Sequence, residues 1–413
     1  MIFVPRILPA FGLLLVLTIL VCGHLVADSR LVNRTAGTFV DADLSDDRSR
    51  QVVIAQGTES VYNGHATLVR TRTGKMIAVW TIGHGGVCGP AAESTDDGKT
   101  WTRIDSRFPV EWTKSRNCPA IFSLGEYGGR ERLMIFAQGR ADGPQGCGRA
   151  VEMTRCLSED DGLTWRVLEP IPVTCVMPLT TLIVCRDGSL LGLYNDRWPE
   201  FQRKRMTELG RKSFPWNRVA QIRSRDGGFT WSTGRIVAES ETLNLCEPFV
   251  LRSDDGTELC CIMRDNAKPA DVGKYTQSGF GTARSKMMFS RDEGVSWSEP
   301  VPTAAKLTGH RHNGVRDSKG RWAIAFRDVD PESPYRGNYC CWRGTYDDIA
   351  KARPGQRLKL LHSNARNPYD CGYAATALLP DDTVFALTYI KYNPGSEKHS
   401  VVGCFIAPEI GVK

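Results

Sequence analysis

The chain has 413 residues, of which 41% are hydrophobic and 24% charged, with a formal net charge of +7. That is enough apolar material for one large core or two ordinary ones. The positive charge is modest and is not gathered into basic blocks, which argues against a nucleic-acid partner and favours an anionic small ligand.

Residues 1–27 read as a signal peptide: Arg6 precedes an apolar run from Phe11 to Cys22, and Ala27 offers a cleavage site. The run is short and lacks a stop-transfer flank, so a stable membrane span is the weaker reading. A lipid anchor on Cys22 lacks the small residues expected before it, the sequence there being Ile19-Leu20-Val21. Export to the periplasm or the extracellular space is therefore expected. Residues 28–50 are polar and Asp-rich and are expected to form a loose leader. Fourteen cysteines in an exported chain lead us to expect some disulfides, none of them assignable. Loss of Cys22 leaves thirteen, so at least one thiol is unpaired. Cys260-Cys261 and Cys340-Cys341 lie in apolar, strand-like runs, where buried structural cysteine is the usual state.

Past the leader, one eight-residue phrase is written four times, as Ser94 to Trp101, Ser158 to Trp165, Ser224 to Trp231 and Ser290 to Trp297. Each copy reads Ser-x-Asp-x-Gly-x-Thr/Ser-Trp, and the starts are 64, 66 and 66 residues apart. So regular a period marks a repeat architecture. Ser and Asp can bond nearby backbone and Gly supplies positive φ, so the phrase predicts a hairpin turn. Its Trp is expected to plug the next repeat.

Between the phrases one order recurs: an apolar strand with a polar start, a Gly/Asp turn, a second strand, a loop, a third strand running into the phrase, then a fourth. The first strands begin near Asn63, Arg116, Cys175, Cys246, Arg311 and Cys371, giving six units. No stretch has a helical period; Arg203 to Lys212 is polar, a short helix or an excursion loop. The expectation is an all-β, six-bladed propeller over residues 51–413, with four antiparallel strands to each blade. The fifth unit keeps only Thr345-Tyr-Asp347-Asp of the phrase. The sixth ends after its third strand, His399 to Ile406, and Gln51 to Gln56 is expected to supply its fourth and close the ring.

First strands of a propeller line the central channel, so their polar starts converge. That predicts one cluster of His65, Asn117, Glu247, His310, Arg311, His312 and Tyr373. Residues leaving the second strands join it: His84, Arg140, Asp196, Arg197, Arg264, Asp265, Arg327 and Asp328. Arg, His, Tyr and carboxylate in one pocket suit chemistry on an anionic ligand better than they suit stability. No Cys-x-x-Cys pair or His/Cys cluster has zinc spacing, and His310 and His312, though on one strand face, lack a third ligand. The sequence gives no reason to expect a metal or a cofactor.

The repeated phrase resembles the Asp-box of the sialidase-like propellers, and the resemblance runs from about Gln51 to the C-terminus. It implies the fold more than an activity. Two local matches are more specific. Glu247, at the head of the fourth first strand, is followed by Arg264 at the end of the next, resembling the sialidase glutamate and the second arginine of its triad. Tyr373 in Cys371-Gly-Tyr-Ala-Ala-Thr, followed by Leu379-Pro-Asp-Asp, resembles the sialidase nucleophile. A sialoside carries a carboxylate on its anomeric carbon, which repels a carboxylate nucleophile and accepts a neutral tyrosine. Tyrosine, with an ordinary pKa near 10, then needs a neighbouring Glu to take its proton. Guanidinium forks suit the substrate carboxylate; beside Arg264 the resemblance points to Arg336, with Arg311 and Arg327 as substitutes.

Two features depart from the family. The first-blade stretch Tyr62-Asn-Gly-His65-Ala has no arginine at the place where the family has one. The interval from Thr81 to Glu93, where the family keeps its Asp acid, has only Glu93 as a carboxylate, so His84 is assigned that role. His65, Asp196 and Arg197 complete the expected substrate site. The expected function is that of an exported, sialidase-like exo-glycosidase removing a terminal acidic sugar from a glycan. The alternatives are a non-catalytic carbohydrate-binding propeller and another glycan-active enzyme such as a lyase.

Overall fold

Alternating strands rich in Val, Ile, Leu and Phe, each stopped by a Gly or Asp turn, assemble into six antiparallel sheets. The structure, a computed structural model, describes residues 40–140, 151–210, 215–267, 284–367 and 370–410. The signal-peptide segment and the start of the leader lie outside them. The six sheets are the blades of a β-propeller. Their first strands are Asn63–Arg70, Ser115–Tyr127, Met177–Val184, Leu245–Arg252, Gly309–Arg316 and Ala375–Leu378. The one long helix among the described residues, Pro199–Leu209, is inserted between the second and third strands of blade three and ends on Gly210 at φ +60°. It seats Phe201 against Trp198 and Trp216. No described helix is long and apolar enough to cross a membrane.

Blade six is completed from the other end of the chain: Gln51–Ala55 pairs with Ser400–Ile406, in registers such as Gln51 with Cys404 and Val53 with Val402. The closing strand thus sits where the sequence places it. The leader is a correction. Ala42–Asp43 adds a parallel fifth strand to blade five, Asp41 accepts from Lys306 and from the Arg357 amide, and Asp47 caps the turn Arg48–Arg50. Its acidic residues find basic and backbone partners, so residues 40–50 are fastened down.

The repeated phrase folds the same way four times. Ser94, Ser158, Ser224 and Ser290 each accept from the Gly amide four residues on, at 2.8–3.0 Å, and donate to the Asp carboxylate at 2.7–2.8 Å. The Asp in turn accepts from the Thr or Ser amide four positions later, at 2.8–2.9 Å. Each Trp packs backward around the ring, against the preceding blade, which for blade one is blade six: Trp101 on Phe385, Trp231 on Phe136, Trp297 beside Leu191 and Leu193. The expectation of contact with the next repeat is thus reversed, because the turn's own Gly presses on the preceding blade. A Cβ on Gly162 would lie 2.5 Å from Ile77 Cδ1. Blade five replaces the turn with the helix Tyr346–Ala350, begun by a capping box between Thr345 and Asp348.

The expected disulfides are absent among the described residues: all twelve cysteines there are free and buried. They serve as small apolar fillers in the sheet cores, Cys260 and Cys261 being fully buried on opposite faces of one strand.

The register also fixes which end of the axis is which. Ser94 lies beside Met76, which lies beside Arg70, the last residue of its first strand, whereas Asn63, the first, pairs with Ile82. The repeated turns therefore occupy the end away from the first-strand heads. Removal of residues 40–55 should expose the Ser400–Ile406 edge and cost roughly 3–5 kcal/mol in lost ladder bonds alone. Denaturant unfolding followed by near-UV circular dichroism measures this; an unchanged midpoint would mean that the ring closes without the strand.

Candidate active site

At the heads of five first strands the ladder to the second strand slips, between Gly64 and Thr67, Arg116 and Ala120, Met177 and Thr181, Cys246 and Phe249, and His310 and Asn313. Four of these bulges hold non-glycine residues in the left-handed region: His65 (φ +46°), Asn117 and Cys118 (+53° and +50°), Glu247 (+54°) and Arg311 (+50°). In blade six the place before Tyr373 is taken by Gly372 at φ +90°, where a Cβ would lie 2.4 Å from that of Arg327. A left-handed non-glycine residue costs on the order of 1 kcal/mol or more. Their recurrence at the same place, the bulged head of a first strand, in four blades therefore marks imposed geometry.

The bulges bring one side chain from each of the first five blades to Tyr373 of the sixth. Tyr373 is packed by His65 at 4.5 Å between ring centroids, and Arg311 lies 4.6 Å over its ring centre. Cys118 and Met177 sit against it in one buried cluster, with the Tyr373 hydroxyl 3.7 Å from Met177 Sδ. The same hydroxyl donates to Glu247 Oε1 at 3.1 Å. Arg264 Nη1 reaches that oxygen at 3.0 Å, while Nη2 donates to Asn266 Oδ1 at 2.7 Å. Tyr373, Glu247 and Arg264, spread over 126 residues of sequence, thus form one contact group.

The electrostatics follow from burial. Glu247 is 2% exposed, which works to raise its pKa, but Arg264, Arg327 and Arg311 outweigh this and hold it below the usual carboxylate range. Burial, with Cys118 and Glu247 nearby, pushes the Tyr373 hydroxyl well above its ordinary value, and Arg311 opposes this. Burial also keeps His65 and His310 neutral, far below the usual histidine range. Several buried polar atoms around Tyr373 lack any hydrogen-bond partner among the described residues: Glu247 Oε2, Arg264 Nε, Arg311 Nη1, His65 Nε2 and Tyr389 Oη. Each such atom costs roughly 1–3 kcal/mol, so their concentration here points to a polar ligand that satisfies them.

Above this group opens a cavity of about 380 Å³ lined by His84, Arg264, His310, Arg327, Asn367, Asp370, Tyr373 and Tyr389. Of the expected site residues, Tyr373, His84, Arg264 and Arg327 line it, and Glu247, Arg311 and His65 lie directly beneath. Arg327 donates to the Cys371 carbonyl at 2.7 Å and contacts His310 Nδ1 at 2.6 Å. Arg336, the preferred second clamp, is half-buried in the loop before the third strand of blade five and is not among the lining residues. Arg327 is the arginine of that blade that lines the cavity. Asp196 pairs with Arg218 at 2.9 Å and Arg197 donates to Asn217, both away from the lining. Strand alternation explains it: Asn195, one residue earlier, turns inward and accepts from the Glu247 amide at 2.7 Å. Asp265 is spent on the Asn244 and Ala267 amides, Asp328 on the Asp330 amide and Ser333, and His312 on the Leu307 carbonyl. No group of three or more metal-ligating side chains occurs among the described residues.

Sequence reasoning missed Asp370. It belongs to no repeat, and the sole clue was its place two residues before Gly372. Its Oδ1 accepts from Tyr62 at 2.7 Å and lies 3.2 Å from His84 Nδ1, and its carbonyl accepts from His399 Nε2 at 2.6 Å. Burial acts to raise its pKa, but the bonds to His84 and Tyr62 and the nearby His399 prevail and bring it down to about 2.

Comparison with known proteins agrees with this architecture. Residues 115–344 match the model of the BNR repeat-like domain. The chain belongs to the BNR repeat-like family. Its superfamily is that of the sialidase-type propellers. No curated protein matches it in sequence. Among solved structures, it is similar to a protein of unknown function from Dyadobacter fermentans, with 16% identity, a TM-score of 0.63, and 86% of this chain and 97% of that one covered. It is similar to the α-L-arabinofuranosidase of Fusarium graminearum, with 12% identity, a TM-score of 0.62, and 88% and 99% covered. The NanB sialidase of Streptococcus pneumoniae is also similar, with 11% identity, a TM-score of 0.54, and 89% and 73% covered. At these identities the likeness is one of fold.

A carboxyl whose folded pKa lies below its unfolded value adds stability that is present above the unfolded pKa, near 3.9, and is lost as pH falls toward the folded value. Between pH 5 and pH 3 this protein should lose about 1 kcal/mol more stability than its Asp370→Asn variant. Urea titrations at the two pH values measure the difference; equal losses would mean that Asp370 gains nothing from its partners in the folded state.

Proposed function

We propose that this BNR repeat-like propeller is a glycoside hydrolase that removes a terminal acidic sugar, sialic acid or a similar one, by double displacement. The observation that carries the reading is the 3.1 Å contact between the Tyr373 hydroxyl and Glu247 Oε1, beside Arg264. Burial makes a free tyrosinate costly, so proton transfer to Glu247 accompanies attack by the tyrosine oxygen on the anomeric carbon. Arg311 over the ring favours the charge that develops on that oxygen. Arg264 and Arg327 on the wall, with Arg311 beneath, form the clamp for the substrate carboxylate, and Arg311 Nη1 still has a bond to give. His84 faces the same cavity and takes the part of the acid that protonates the leaving group. The arabinofuranosidase and sialidase among the similar structures accord with a glycan substrate.

The test is covalent capture. Incubation with a fluorinated acidic-sugar donor should label the peptide containing Tyr373, as read by mass spectrometry. Tyr373→Phe should prevent labelling, and Glu247→Gln should lower kcat by about 10² to 10⁴. Saturable binding of acidic glycans without labelling or turnover would instead establish a carbohydrate-binding propeller.

A further inference from the structure

Asp370, Tyr62 and His84 form a polar chain across the wall of the cavity that the nucleophile pair does not use. Tyr62 approaches from blade one, just before its first strand, and Asp370 from blade six, just before Tyr373. His84 is presented by the glycine-rich turn Gly83–Gly86, whose Gly83 amide donates to the Tyr62 carbonyl at 2.7 Å. Tyr62 Oη is 2.7 Å from Asp370 Oδ1 and 3.2 Å from His84 Nδ1, and Nδ1 is itself 3.2 Å from the same carboxylate oxygen. A carboxylate only accepts, and the single Tyr62 proton is committed to the shorter of its two contacts. The proton between His84 and Asp370 must therefore be carried by Nδ1. His84 is half-exposed, and no described residue bonds its Nε2.

We propose that Asp370 is the positioning residue for His84: it fixes the imidazole with Nδ1–H turned to the carboxylate, so that Nε2 alone exchanges protons with the substrate. The inference rests on the glycosidase reading for its chemical use, and on geometry alone for the tautomer. In the first half-reaction the imidazolium gives its Nε2 proton to the leaving-group oxygen. The glycosidic C–O bond breaks, its electron pair stays on that oxygen, and the Tyr373 oxygen bonds to the anomeric carbon while its proton passes to Glu247. In the second half, neutral His84 takes a proton from water at Nε2 as the water oxygen bonds to the same carbon. The tyrosine–carbon bond breaks as that bond forms, its electron pair returning to the tyrosine oxygen, which recovers the proton from Glu247. Holding one nitrogen by a carboxylate makes the other serve as acid and then as base without ring rotation.

Two measurements test this. With the full chain, Asp370→Asn should lower kcat/KM, which reports the leaving-group step, about 100-fold on acidic-sugar glycosides with alkyl leaving groups, and less than about 5-fold on nitrophenyl ones. It should cost nothing further in a His84→Ala background. Equal losses on both substrates, or a further loss without His84, would overturn the proposal. In protein carrying ¹⁵N-histidine, the neutral His84 ring should carry its proton on Nδ1, and Asp370→Asn should shift it toward Nε2. A ring protonated on Nε2 in the unaltered protein would overturn the inference whether or not the protein hydrolyses glycosides. Absence of turnover with the Nδ1–H tautomer present would refute the glycosidase reading alone.

Discussion

Closure of the ring is the constraint on which the site depends. An open six-blade array would leave the Ser400–Ile406 edge unpaired and blades one and six unrelated in space. Pairing with Gln51–Ala55 brings them together, and the junction is reinforced where the Asn63 amide donates to the His399 carbonyl at 3.0 Å. Across this seam the chain's two ends supply opposite halves of one polar network. Tyr62, His65 and His84 come from blade one, and Asp370, Tyr373, Tyr389 and His399 from blade six. Their rings lie 4.3–6.3 Å apart between centroids, so the closing strand and the chemistry share one packing unit.

The second constraint is charge. A nearly unexposed carboxylate, Glu247, faces three guanidinium groups, and its neighbours His65 and His310 stay neutral because burial forbids more positive charge. The balance leaves the region electropositive, with donors on Arg264 and Arg311 unsatisfied. An anionic ligand would remove both costs at once, as expected of a site whose stability is held back for binding. The left-handed bulges belong to the same economy: strain at four strand heads is held by the blades around them and aims the side chains that matter.

The scaffold answers these demands with repetition. Four copies of one turn lock the end of the axis remote from the site, each pressing its Gly and Trp on the preceding blade. Uniformity at one end leaves the loops at the other free to vary. The glycine turn bearing His84, the helix Pro199–Leu209 and the segment bearing Asp370 all lie there.

The sequence alone determined the blade count, the order of strands, the closing strand and the trio of Tyr373, Glu247 and Arg264. All of these are written locally, as a 64–66 residue period, alternation within strands, or a motif at a strand head. Tertiary structure decided what depends on orientation across blades. Whether Asn195 or Asp196 turns inward depends on where a bulge resets the alternation, and no composition or spacing reveals that. That Arg327 rather than Arg336 lines the cavity is set by packing of His310 and the Cys371 carbonyl from neighbouring segments. Cys341, Cys371 and Cys404 share one core and Cys88 and Cys156 another, yet all are free, so side-chain placement within a core decides pairing and a cysteine count does not. Asp370 was invisible for the same physical reason: it acts through residues 308 and 286 positions away, Tyr62 and His84, which only the closed ring brings to it.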